Sequence, residues 1–165
     1  MAGGGSMILA IVGGIMALVA CSMFYLYVNT GGAEFQSLWD MLDYVPDEYL
    51  YLWMIPVGAV LAILLAVIGY AAQSKGAGYI VGLLGLLLLF LPLIYAVHLS
   101  SDFGEPIQNV FYQSSNSMVS EGEWYMFLGG FMCMFDGLMI LISGFGLAKK
   151  IGRVRQPVQQ QQYYR

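Results

Sequence analysis

The stretch Gly78–Ser100 reads GYIVGLLGLLLLFLPLIYAVHLS, twenty-three residues without one Asp, Glu, Lys or Arg. At about 1.5 Å of rise per helical residue it covers roughly 35 Å, more than the ~30 Å hydrocarbon core of a bilayer. No water is present there to solvate a charge or an unpaired backbone group, so the stretch is read as a membrane-spanning helix. Three further runs meet the same test: Met7–Val28, Tyr49–Ala72 and Trp124–Ala148. The composition of the whole chain agrees. Of 165 residues, 59% are hydrophobic and 10% charged, and the mean hydropathy is +0.73. A soluble domain carries about a quarter charged residues, so an ordinary water-soluble globule is excluded.

Charge placement predicts the orientation. Lys75 lies in the short second connection, and Lys149, Lys150, Arg153, Arg155 and Arg165 all follow the fourth run. Glu34, Asp40, Asp43, Asp47 and Glu48 occupy the first connection, and Asp102, Glu105, Glu121 and Glu123 the third. The positive-inside rule then puts both termini in the cytoplasm and the two longer loops outside, most simply at the plasma membrane. Aromatic residues, among them Tyr25, Tyr51, Trp53, Tyr95 and Trp124, gather at the expected outer ends. The expected fold is therefore an all-α integral membrane protein, a four-helix bundle with spans at 7–28, 49–72, 78–100 and 124–148. A basic, then Gln-rich cytoplasmic tail occupies 149–165, and its stretch Arg155–Arg165 is expected to be flexible.

Loop details add local expectations. Leu18-Val19-Ala20-Cys21 has the form of a lipoprotein signal box, but no positive charge precedes it and apolar sequence continues to Val28, so the first run is read as a retained span. In the first loop, Phe35, Leu38, Trp39, Leu42 and Val45 fall at helical spacing, which predicts a short amphipathic helix ended by Pro46. Ser120 and Glu123 have capping-box spacing before the fourth span. Pro56 and Pro92 are expected to bend their helices or free carbonyls, with Leu88, Tyr95 and Cys133 lining a shallow outward cavity.

Small residues recur at four-residue and related spacings: Gly13, Ala17 and Cys21; Gly58, Ala62 and Ala66; Gly78, Gly82 and Gly85; Gly129, Cys133, Gly137 and Gly144. Such ladders let helices approach closely, within one chain or between copies. The two cysteines, Cys21 and Cys133, both fall in spans, so the loops carry no disulfide staple. The lone histidine, His98, stands four residues from Asp102, the spacing of a pair on one helical face. One histidine does not make a haem or metal site, and no catalytic triad, phosphate loop or basic-aromatic patch is present in the sequence. Enzymatic activity, metal, cofactor and nucleic acid are accordingly not expected.

One residue breaks the apolar pattern. Asp136 is the single acid inside a span, on the face shared with Gly129, Cys133, Gly137 and Gly144. A carboxyl at membrane depth is expensive and functional by default. Three roles compete: a neutral acid bonding across helices to Ser22, a tyrosine or a free carbonyl; a charge pairing with a base in another protein's span; or a proton or ion site. The sequence points first to a non-enzymatic scaffold, junctional or accessory subunit, whose partners are membrane lipid and other membrane proteins or further copies of itself. The alternative is a proton or ion channel or transporter component using Asp136.

Overall fold

A computed structural model describes residues 3–29, 33–40, 47–103, 107 and 128–162. It contains helices α1 (Gly4–Ala20), α2 (Met54–Ala71), α3 (Lys75–Phe103) and α4 (Leu128–Gln162), with a 3₁₀ stretch, Asp47–Trp53, leading into α2. Strands β1 (Phe24–Asn29) and β2 (Ala33–Ser37) form an antiparallel hairpin between α1 and the 3₁₀ stretch. Three helical segments are long and apolar enough to cross a membrane: Leu50–Ala71, Lys75–His98 and Leu128–Gly152. The apolar α1 is shorter, at 17 residues. This is the make-up of an α-helical membrane protein.

The first span is where sequence expectation and structure part. Its helix stops at Ala20 instead of Val28. Backbone donors of Cys21, Ser22 and Met23 close the last turn on the carbonyls of Ala17, Val19 and Ala20, after which Phe24-Tyr25-Leu26-Tyr27-Val28 continues as a strand. Aromatic and β-branched side chains favour that extended state once the helix has ended. Tyr27 pairs with Phe35 and Asn29 with Ala33, and the register shifts between Phe24 and Leu26. The amphipathic helix expected from Phe35 onward begins later. Phe35 lies in β2, 38–40 is helical, and Leu42, Val45 and Pro46 lie outside the described residues.

Other boundaries shift less. Pro56 falls in the first turn of α2, where a missing N–H removes no intrahelical bond, so it serves as a starter and not a kink. The fourth helix does not end near Ala148 but continues through the basic residues to Gln162, which replaces the expected flexible tail over that range. The expected capping box at Ser120 and Glu123 lies outside the described residues.

A capping box does occur, at Ser37 and Asp40. Asp40 N–H donates to Ser37 Oγ (3.2 Å), and Ser37 N–H donates back to Asp40 Oδ2 (3.0 Å), with Ser37 Oγ–H also donating to Oδ2 at 2.6 Å. The Ser37 hydroxyl, and then its backbone N–H, hold the Asp40 carboxyl below its ordinary value of 3.8. A lowered folded value means that this contribution is complete above the ordinary carboxylate range and is lost as pH falls through the folded value. In a Trp53→Phe, Trp124→Phe background, acidification should therefore red-shift Trp39 emission below about pH 4. The same shift should already be present at neutral pH in Asp40→Ala.

The α2–α3 connection explains why the bundle is tight at its other end. Ser74 N–H bonds Gly69 O (2.9 Å) and Gln73 N–H bonds Tyr70 O (3.3 Å), a Schellman ending with Gln73 at φ 48° where glycine is usual. Gln73 Nε2 also donates to Tyr70 O at 2.6 Å, and Ser74 Oγ accepts Ala77 N–H to start α3. One residue after α2's cap, the chain is already reversing.

Each helix then packs antiparallel on its neighbours in the cyclic order α1, α2, α3, α4. The pairings Gly4 with Tyr70, Gly58 with Leu88, Gly78 with Ala148 and Gly13 with Asp136 fix the directions. Lys75, Lys149 and Lys150 thereby share one end, and the hairpin and 3₁₀ stretch share the other. The bundle is small inside and large outside. Ala17, Ala20, Ala59, Ala62, Ala66 and Cys133 are fully buried, whereas Ile8 (58%), Leu83 (58%), Phe135 (59%) and Ile142 (59%) are exposed. That surface suits lipid and would aggregate in water.

Candidate functional site

Asp136 lies on α4, eight residues or about 12 Å from Leu128 and sixteen or about 24 Å from Gly152. Its neighbours along the helix divide between two seams. Gly137 and Gly144, with Leu141 and Ala148, meet α3 at Gly78, Gly82, Gly85 and Leu89, where the two backbones touch. A Cβ on Gly137 would come within 2.5 Å of Leu89 N and 2.9 Å of Gly85 O. Asp136, Met139 and Ile140 turn toward α1, where a Cβ on Gly13 would lie 3.3 Å from the Asp136 carbonyl oxygen and 3.0 Å from the Ile140 side chain. The single small face expected from the helical wheel is thus two adjoining faces, each with its own partner helix.

The carboxyl is fully buried, and neither Oδ1 nor Oδ2 has a hydrogen-bond partner among the described residues. Ser22, an expected partner, instead accepts the Trp39 Nε1–H at 3.1 Å beyond the end of α1. Cys21 is within electrostatic reach of the carboxyl, but its Sγ–H donates to Ala17 O at 3.2 Å. Ser143, the other buried polar side chain of α4, satisfies itself on Ile140 O at 2.8 Å. Among the described residues Asp136 alone is left with an undischarged polar demand.

The remaining expected residues are placed as follows. Gly58 faces Leu88, to which an added Cβ would stand at an ordinary 3.5 Å, and Ala62 and Ala66 are buried with it on α2. Gly14, which was not singled out by spacing, is the tightest point of α1 on α2, against Ile63 and the Ala59 carbonyl. A Cβ on Gly82 would lie 3.2 Å from the Phe145 ring, and Gly129 is buried near the start of α4. His98 stands edge-on to Tyr51, with Tyr51 Oη 3.4 Å from Nδ1; the Asp102 side chain lies outside the described residues. Cys21 and Cys133 form no disulfide.

Pro92 has no N–H for the Leu88 carbonyl, as expected. Cys133 Sγ–H approaches it at 3.7 Å across the α3–α4 seam, and Leu88, Tyr95 and Cys133 are all buried. Cys133→Ala should therefore cost about 1 kcal/mol in detergent unfolding by orphaning a buried acceptor, whereas Cys133→Ser should stay close to wild type.

Among the described residues no group of three His, Cys, Asp or Glu side chains is arranged to hold a metal ion. The chemistry the site offers is that of one carboxyl in an apolar, small-residue seam. No protein-family model, no curated protein and no solved structure matches the chain.

Proposed function

We propose that the chain is a non-enzymatic four-span membrane protein, with both termini cytoplasmic, that acts as a scaffold, junctional or accessory subunit of a membrane complex. The supporting observation is how its surfaces are used. Its small-residue ladders are spent on its own helix seams, while large aliphatic and aromatic side chains face outward on every helix. Partners would meet those outward faces and the acidic loops beside the hairpin, and lipid would cover the rest. For α1 to span, its 17 residues must cover about 25 Å, which suits a helix whose hairpin end is capped by protein and not by lipid headgroups alone.

The test is a gentle-detergent pull-down of tagged wild type and Asp136→Asn, with sizing and mass spectrometry. Other membrane proteins recovered with both variants would support the subunit reading. A lone homo-oligomer in both would sink it.

A second reading, a proton- or ion-handling component, is favoured by one observation: a fully buried carboxyl whose oxygens have no protein partner. It expects Asp136→Asn to abolish flux in liposomes while leaving assembly unchanged.

A further inference from the structure

We propose that Asp136 is an intramembrane proton-binding site, filled and emptied from the hairpin end of the bundle along the α1–α4 seam, with the Trp39–Ser22 contact closing that route. This rests on the second reading above and adds to it the ligand and the path.

The ligand follows from what surrounds the carboxyl. A metal cation bound at membrane depth needs several oxygen or sulfur ligands, six or more for a hard cation such as calcium. The two thiols are engaged with the carbonyls of Ala17 and Leu88, and among the described residues no other Asp, Glu or His joins them in a ligating group. No counter-charge is supplied either. Helix α1, helix α2 and residues 76–100 of α3 contain no Lys, Arg, Asp or Glu. Their titratable groups are Tyr70, Tyr79, Tyr95 and His98; β1, which also packs on α4, adds Tyr25 and Tyr27. A carboxylate there would have neither donor nor cation, so the form the site accommodates is the neutral acid. The proton is the one ligand a single carboxyl can take without further protein groups.

The path follows from distance along the seam. Toward the basic end, sixteen residues of α4, about 24 Å, separate Asp136 from Gly152, and Ile140, Leu147 and Ile151 are buried there beside the smaller Ala10 and Ser143. Toward the hairpin, the interior residues are Ala17, Ala20, Cys21, Cys133 and Gly129, and α1 ends seven residues, about 10 Å, beyond Gly13. Eight residues of α4, about 12 Å, separate Asp136 from Leu128, so the shorter way to water is on that side. The stretch after β2 lies across it. Leu38 is fully buried with its N–H on Cys21 O at 2.9 Å, and Trp39 is tied to Ser22 at 3.1 Å.

The experiment is infrared spectroscopy of the full chain in liposomes during exchange into D2O. Wild type, Asp136→Asn, Ser22→Ala, Trp39→Ala and Leu147→Ala are compared, each shown to be folded by its helical circular dichroism. The expected result is a protonated-carboxyl C=O band that is absent only in Asp136→Asn. Its deuterium shift should speed up about tenfold in Trp39→Ala, less in Ser22→Ala, and not in Leu147→Ala. Absence of the band from wild type would overturn both the proton site and the reading beneath it. A band whose exchange ignores Trp39→Ala and Ser22→Ala, or speeds up equally in Leu147→Ala, would overturn the path and leave the second reading standing.

Discussion

Gly144→Ala should be among the most damaging single-methyl changes in the bundle, lowering unfolding stability in mixed micelles by about 3 kcal/mol or preventing accumulation altogether. The added Cβ would fall on the backbone N of Gly82, 2.6 Å from its Cα and 2.8 Å from Gly78 O. Each of these is a main-chain atom inside α3. None can rotate away, so relief requires the two helices to separate along the seam that also holds Gly85 against Gly137. Alanine's better helix propensity, worth about 1 kcal/mol over glycine, offsets only part of this. Two controls separate sterics from propensity. Gly5→Ala meets nothing within 4 Å and should stabilise by up to about 1 kcal/mol, and Gly58→Ala meets Leu88 only at 3.5 Å and should be close to neutral. If Gly144→Ala stays within 0.5 kcal/mol of wild type, about the range of surface changes, then α3 and α4 are not in backbone contact.

The charge-free runs at 54–71 and 78–100 announce their helices because a bilayer admits few other structures for such sequence, and the glycine spacing of α4 announces a packed face for the same reason. The hairpin was equally available but masked. Phe24-Tyr25-Leu26-Tyr27-Val28 is apolar enough to extend a span, and only its aromatic, β-branched character and the Gly31-Gly32 pair after it argue for a strand and turn. The Ser37-x-x-Asp40 capping box was also readable, four residues that mark where the extended chain becomes helical. What no spacing reveals is how neighbours are distributed around Asp136. A helical wheel assigns it a face, but whether that face meets α1 or α3, and whether Ser22 reaches it, depends on where α1 ends. Because α1 stops at Ala20, Ser22 meets Trp39 instead, and the carboxyl has lost its most obvious partner.

That loss leads to an uncommon order of stabilities at position 136. Asp136→Ala should be at least as stable as wild type, by up to about 1 kcal/mol, because removing an unsatisfied buried polar group recovers roughly 1–3 kcal/mol and the small void left behind takes part of it back. Asp136→Asn replaces one unpartnered neutral polar group by another and should match wild type. Asp136→Lys should lose about 3 kcal/mol or more, since it sets a cation at membrane depth in a fully buried position. Chemical unfolding of the four proteins in the same micelles measures the series. A fall of 2 kcal/mol or more in Asp136→Ala would mean that the carboxyl makes a stabilising contact in the bilayer, and the unpartnered state would be refuted. If the order holds, the bundle keeps an acid that folding does not require. Selection for stability alone would have replaced it with the alanine that lines the rest of the seam, so the residue's use must lie in what a carboxyl can do there that a methyl cannot.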